Sequence, residues 1–147
     1  MEIVRAETSD IPELCGLLSY LFEQEEEFTP DTQAQERGLK MIIESPETGD
    51  ILIMRDNGQT IGMVNLLYTV STALGGKVAV LEDMVVTPEN RNGGTGSWLL
   101  KAAVQHAKKQ GCMRITLLTD AVNEKAQRFY ARHGFSPSPM VPMRLML

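Results

Sequence analysis

The stretch Glu82-Asp83-Met84-Val85-Val86-Thr87-Pro88-Glu89-Asn90-Arg91-Asn92-Gly93-Gly94-Thr95-Gly96-Ser97 decides the reading of this chain. An apolar strand runs into a proline turn, then a glycine-rich bend, then a helix that carries Trp98, Leu99 and Leu100. Such a bend presents several backbone N–H groups at a helix start, where the helix dipole favours an anion. Gly94 and Gly96 lack a Cβ and allow a ligand close to the main chain. The expected guest therefore carries phosphate. The bend is not a Walker A loop, because no Lys follows the glycines before Ser97. Nor is it a dinucleotide fingerprint, because Leu99 stands at the third glycine position.

Outward from the bend, the pattern divides in two. Upstream, Ile3 and Val4 predict a short first strand. A helix is expected from about Asp10, with Glu13 completing a capping box. Its residues Ile11, Leu14, Leu17, Leu18 and Leu21 recur at helical spacing. Glu23, Glu25, Glu26 and Glu27 then form either a solvated helix end or a negative field that draws a cation. Asp31 is placed to cap a second helix with Leu39, Ile42 and Ile43 inside, ended by Ser45-Pro46. Asn57-Gly58 between the apolar runs 51–55 and 60–70 signals a hairpin, since a type I′ turn needs positive φ at both central residues. Gly75-Gly76 precedes a strand over 78–86, so three antiparallel strands are expected in sequence order.

Downstream, the period changes. A helix is predicted over 95–110 with Gly111 as its C′ residue. A strand follows over 115–119, then a helix over 123–133 with Ala126, Phe129, Tyr130 and His133 on one stripe, closed by Gly134. Pro137, Pro139 and Pro142 break up the tail, and residues 143–147 are expected to form a final edge strand. This order implies an α/β (α+β) mixed sheet with helices on both faces and a parallel strand–helix–strand crossover over 78–119.

A length of 147 residues fits one domain, 1–147. The net charge of -5 argues against a nucleic-acid surface, which normally carries a basic patch, and mildly favours a cationic substrate. Cys15 and Cys112 form no CxxC pair, so a zinc or thioredoxin-like site is not expected and no metal is called for. Two reduced, partly buried thiols suit a cytoplasmic location. The opening Met-Glu-Ile-Val-Arg lacks the pattern of a signal peptide, and no apolar run is long enough to span a membrane.

The combination Arg91-x-x-Gly94-x-Gly96 after a strand ending Val-Val-Thr-Pro resembles the signature of the GNAT superfamily of acyl-CoA-dependent N-acetyltransferases. That signature is Arg or Gln, two residues, Gly, one residue, then Gly or Ala. The later Asn123…Ala126…Phe129-Tyr130…Gly134-Phe135 segment resembles the late helix of the same family, and the likeness extends over essentially the whole chain. The family most often has Gly directly after the Arg. This chain has Asn92, which tolerates left-handed backbone better than most residues.

The resemblance implies acetyl-CoA as cosubstrate, with its diphosphate on the amides of Asn92, Gly93, Gly94, Thr95, Gly96 and Ser97. Arg91 either adds charge or holds the loop. The backbone of Met84, Val85 and Val86 would pair with the pantetheine arm like an added strand, and one N–H there would polarise the thioester carbonyl. Asn123 caps its helix, contacts the cosubstrate, or does both, with Ala126 beside it.

Glu82 and Asp83 are adjacent carboxylates in an otherwise apolar strand. Charges are rarely buried without a partner, so the pair forms salt bridges or serves chemistry. An amine arrives protonated and must lose a proton before it attacks, and a carboxylate can accept that proton. By resemblance to polyamine and amino-sugar acetyltransferases, Glu82 is the expected base and Asp83 a substrate contact or second candidate. Alternation along a strand would put only one of them in a given cleft. Tyr130 is either a core aromatic or, as the resemblance implies, the acid that protonates the departing sulfur. His106 and His133 read as structural. No His-Asp pattern near Cys112 supports a nucleophile, so direct transfer in a ternary complex is expected over a covalent enzyme route. The resemblance thus implies acetyl transfer to a primary amine. The alternative is a non-catalytic acyl-CoA-binding regulatory module of the same fold. The apolar tail from Met140 also offers an edge for a homodimer.

Overall fold

A computed structural model describes residues 1–22 and 31–147. Five strands form one sheet in the order β1-β2-β3-β4-β5. They are β1 (Glu2–Arg5), β2 (Gly49–Asp56), β3 (Gln59–Ser71), β4 (Gly76–Val86) and β5 (Ile115–Leu117). The helices are α1 (Ile11–Phe22), α2 (Thr32–Ile43), α3 (Thr95–Lys109) and α4 (Glu124–Arg132). β1 to β4 pair antiparallel, whereas β4 and β5 are parallel, as a helical crossover between them requires. The Asn57-Gly58 turn has φ of 51° and 80°, the two positive values that a type I′ hairpin needs.

Strand alternation sorts the core. Along β2, Leu52 and Met54 join Val64, Leu66 and Leu81 beneath α3, which contributes Leu99, Leu100, Ala103 and Ala107. The intervening Ile51 and Ile53 face the other way and pack with Met63 and Val85 against Leu14, Leu17 and Leu18 of α1 and Leu39 of α2. Helices therefore cover both faces. Asp31 caps α2 by accepting from the Ala34 N–H at 3.1 Å. Gly111, at φ 84°, follows the last turn of α3.

A buried carboxylate ties α3 to the far end of the sheet. Asp50 is 3% exposed and takes Arg5 Nη2 at 2.6 Å, His106 Nε2 at 2.7 Å and the Tyr68 hydroxyl. Burial alone would raise its pKa. The hydrogen bonds from Tyr68 and His106, with the charge of Arg5, outweigh that and hold the carboxyl below the usual range. Burial and the same carboxylate drive the Tyr68 phenol upward.

Three expectations are corrected. The box around Asp10 and Glu13 does not form. Thr8–Asp10 is a 3-10 turn, and Asp10 turns back to accept from the Glu7 N–H at 2.7 Å and to pair with Arg55. The buried Asp10 gains a charged partner by this route, which a cap on α1 would not supply. β5 ends at Leu117, because Leu118 is exposed with no core to pack on. Residues 143–147 form no strand in the single chain, since no neighbouring strand is in place to take their N–H groups. The acidic run at Glu23, Glu25, Glu26 and Glu27 lies outside the described residues. Among the described residues no helix is long and apolar enough to cross a membrane.

Candidate active site

β4 and β5 separate where the chemistry was expected. Their pairing comprises Ala79 with Ile115, Val80 with Thr116 and Leu81 with Leu117, and there it ends. β4 continues to Val86, held on its other edge by β3. A β-bulge marks the change. Asn65 stands opposite Glu82 and Met63 opposite Val85, so β4 carries one extra residue. That residue brings Asp83 to a φ of 52°, in the left-handed region that non-glycine residues seldom adopt.

The bulge overturns the expected alternation. Leu81, Met84 and Val86 all pack toward the α3 side, and Val85 toward α1. Glu82, still paired with Asn65, thus borders the interruption, and Asp83 lies within it. Asp83 is partly buried and accepts from Asn65 Nδ2 at 2.6 Å, while Asn65 is only 2% exposed. Glu82 is exposed, and no ion pair among the described residues engages it. Asn65 was missed in the sequence, although a lone amide inside the apolar run of β3 was the available signal.

The bend after β4 is open to a ligand. Arg91 Nε donates to the Val86 carbonyl at 2.9 Å, so the side chain holds the loop to the strand end. Asn92 has φ 67° and Gly94, the N-cap of α3, has φ 84°. The first helical bond runs from the Trp98 N–H to the Gly94 carbonyl at 3.0 Å. Among the described residues, none of the amides of 92–97 donates to a backbone carbonyl. Asn92, Gly93 and Gly94 are exposed, whereas Thr95 is buried. These unpaired donors at a helix start are the groups that suit a diphosphate.

α4 is seated against this bend. A Cβ on Gly96 would meet the Phe129 ring at 3.6 Å, and Ser97 Oγ lies 2.9 Å from His133 Nε2. His133, read as structural, therefore touches the bend itself. Burial, with Lys101 and Arg132 nearby, lowers its pKa and favours the neutral ring. Asn123 caps α4 by accepting from the Ala126 N–H at 3.0 Å. Tyr130 packs edge-on to Phe129 and Phe135, on the same core as Met84 of β4 and Leu117 of β5. Burial pushes its phenol up to about 12, so the hydroxyl keeps its proton at neutral pH.

Residues 14–135 match the sequence profile of the acetyltransferase (GNAT) family. The chain belongs to this family. It is 36% identical over 138 residues to an uncharacterised N-acetyltransferase of Bacillus subtilis strain 168, YhfO, with 92% of this chain and 89% of that one covered. Its fold superposes on a possible acetyltransferase from Clostridium difficile 630 with a TM-score of 0.90, at 16% identity over 99% of this chain and 97% of the other. A Clostridium acetobutylicum protein described as a predicted acetyltransferase and solved with acetyl-CoA superposes with a TM-score of 0.80, at 17% identity over 97% of this chain and 95% of the other. The protein is an acetyltransferase, and the strand separation, the amide-lined bend and α4 lie within the matched span.

This acetyltransferase also has an open groove of about 520 Å³ on the α1 side of the sheet, bounded by Glu13, Leu17 and Tyr20 of α1 and by Thr87, Glu89 and Asn90 ahead of the bend. It adjoins the loop that leads into the bend and does not include Glu82, Asp83 or Tyr130.

Proposed function

We propose that this enzyme transfers an acetyl group from acetyl-CoA to a primary amine by direct attack in a ternary complex. The observation that carries the reading is the free edge of β4 beyond Leu81, beside a bend whose amides lack backbone acceptors. The two features match the two parts of the cosubstrate. Amides 92–97 suit the diphosphate, and the main chain of Met84, Val85 and Val86 suits an amide-bearing arm laid along a strand edge. Acetyl-CoA supplies the thioester.

The chain's own groups supply the proton movements. Glu82, exposed at the bulge, takes the proton from the incoming ammonium directly or through a water. Asp83, held by Asn65, orients that ammonium. A β4 main-chain N–H donates to the thioester oxygen. Tyr130, kept protonated by burial, gives its proton to the departing sulfur and is restored by the second proton that the acetylated nitrogen sheds. Burial raises the pKa of Cys112, with Lys77 opposing and Asp50 adding to the rise, which suits a thiol that takes no part.

The test is a thiol-release assay with acetyl-CoA and a panel of amines, run beside thermal-shift measurements with acetyl-CoA. Amine-dependent release together with a raised Tm supports the proposal. A raised Tm with no release for any amine favours an acyl-CoA-binding regulatory module. No shift and no release removes the cosubstrate from the reading.

A further inference from the structure

The two histidines of this chain sit in opposite surroundings. His106 Nε2 lies 2.7 Å from an Asp50 oxygen, so that ring has an anion beside it. Among the described residues no carboxylate pairs with His133, and the charges that face it, Lys101 from α3 and Arg132 from α4, are both positive. Phe129 packs on the ring with centroids 5.0 Å apart, and Arg132 Cζ stands 5.9 Å from the same Phe129 ring. The hydrogen-bond partner of the His133 ring is Ser97 Oγ, at 2.9 Å.

Ser97 belongs to the bend. Its N–H is one of the amides that, among the described residues, donate to no backbone carbonyl. An anion held by those amides therefore lies beside the Ser97 hydroxyl as well.

The bond between Ser97 and His133 has a direction, and the direction depends on the ring. A neutral ring protonated on Nδ1 accepts at Nε2, so the Ser97 hydrogen points at His133 and oxygen lone pairs are left toward the bend. Those lone pairs repel a phosphate oxygen. A ring with hydrogen on Nε2 donates to Ser97 Oγ and releases the hydroxyl hydrogen to an anion. Two forms carry that hydrogen, the neutral Nε2–H tautomer and the imidazolium. Only the imidazolium gains further from negative charge at the bend, because it alone is charged. Burial, Lys101 and Arg132 favour the neutral ring in the protein by itself. An anion at Ser97 offsets the two cations and reverses that preference.

On the acetyl-CoA reading of the bend, we propose that His133 is a cosubstrate-binding residue that takes up a proton as the diphosphate seats, its Nε2–H donating to Ser97 Oγ and the Ser97 hydroxyl donating to a diphosphate oxygen. The proton comes from solvent and stays on the ring until the cosubstrate leaves. Binding raises the pKa of the ring, so binding is tightest on the acidic side, and the advantage is lost as pH rises through the bound-state value. A rise of about one unit corresponds to about tenfold in affinity and to an uptake that peaks at about 0.5 proton.

The probe is dephospho-coenzyme A, because the 3′-phosphate of coenzyme A itself titrates at about 6, whereas the diphosphate bridge takes up no proton in this range. Calorimetric titration of the full chain, in two buffers of different ionisation enthalpy over about pH 5.5 to 8, reads affinity and protons together. Uptake near about 0.5 proton at its peak, with Kd about tenfold higher at the alkaline end, is the expected result. His133→Gln keeps a donor for Ser97 but cannot titrate, so the uptake should vanish and Kd become flat with pH. NMR of the histidine Cε1–H signals supplies the position. The His133 signal should titrate at higher pH with the probe bound, and the His106 signal should stay in place. His133→Gln assigns the two signals, or His106→Gln does if the first variant fails to fold. Binding without proton uptake overturns the proposal and leaves the neutral tautomer to serve Ser97. Uptake that persists in His133→Gln overturns it too, as does a His133 signal that titrates alike with and without the probe. No heat in either buffer and no movement of either signal removes the diphosphate from the bend, and the acetyl-CoA reading with it.

Discussion

Substituting Gly94 by Ala separates backbone strain from steric fit at the bend. A Cβ at Gly94 meets no atom within 4 Å, so crowding is not the issue. The residue sits at φ 84°, and an L-residue there costs roughly 1–2 kcal/mol. That energy has two outlets. If the bend keeps its shape, the fold loses the full amount, and Tm falls by about 2–8 °C for a chain of this size. If the bend relaxes to negative φ, Tm holds, but binding must restore the strained shape and acetyl-CoA affinity falls about 5–30-fold. The two losses, as free energies, are expected to sum to the strain. Gly96→Ala is the control. Its φ is not left-handed, its Cβ would make ordinary contact with Phe129, and Ala in a helix is favoured over Gly by roughly 0.5–1 kcal/mol. It should raise Tm by about 1–4 °C and change affinity less than threefold. Calorimetric titration with acetyl-CoA and scanning calorimetry of both variants supply the numbers. Gly94→Ala matching the wild type in both measurements would refute the reasoning, as would Gly96→Ala losing affinity as Gly94→Ala does.

Tyr130→Phe is expected to lower kcat about 100-fold while leaving the acetyl-CoA Kd within threefold, and an unchanged kcat removes the phenol from the mechanism. Glu82→Gln should lower kcat/KM for the amine about 100-fold, whereas Asp83→Asn should chiefly raise the KM of the amine. Full turnover in both variants would take the carboxylates out of the reaction. Asp50→Asn should cost about 1–3 kcal/mol at neutral pH, because Arg5, Tyr68 and His106 lose a charged acceptor. The folded pKa of Asp50 is depressed, so its contribution is present above the unfolded value near about 4 and is lost as pH falls through the folded value. Chemical denaturation from pH 7 to 3 should therefore show a shallower acid loss for Asp50→Asn than for wild type, and parallel curves would contradict the assignment.

Much of the fold was legible because its signals are local. Asn57-Gly58 specifies its turn through two positive φ values, and Asp31 specifies the start of α2 through one hydrogen bond. The bend was legible for the same reason, since Arg91, Asn92 and Gly94 meet its requirements in consecutive positions. What was not legible depends on partners distant in sequence. Asp10 finds Arg55 across 45 residues, and Asp83 finds Asn65 across 18. The bulge itself has no local signature. Asp83 is not Gly, and nothing in Glu82-Asp83-Met84 announces an extra residue. It becomes visible only when the register of β3 against β4 is laid out. The tail shows the opposite failure: strand-compatible residues at 143–147 form no strand, because a strand is defined by its neighbour.

The bulge lies where two features of β4 meet. Parallel pairing of β4 with β5 stops at Leu81, the residue before Glu82. The β4–β5 pairing thus ends just before the irregularity in which Asp83 lies. The left-handed φ of Asp83 is a local cost, and strain of this kind persists only where surrounding groups over-determine it. Here Asn65 does so, from a buried position on the strand opposite, with its amide on the Asp83 carboxylate. Its own Oδ1 is buried without a hydrogen bond among the described residues, a second local cost at the same point. A regular β3–β4 ladder would avoid both costs. It would also continue the alternation of side chains along β4. The strained Asp and the underused Asn are therefore understood together, as two local costs that meet at one bulge.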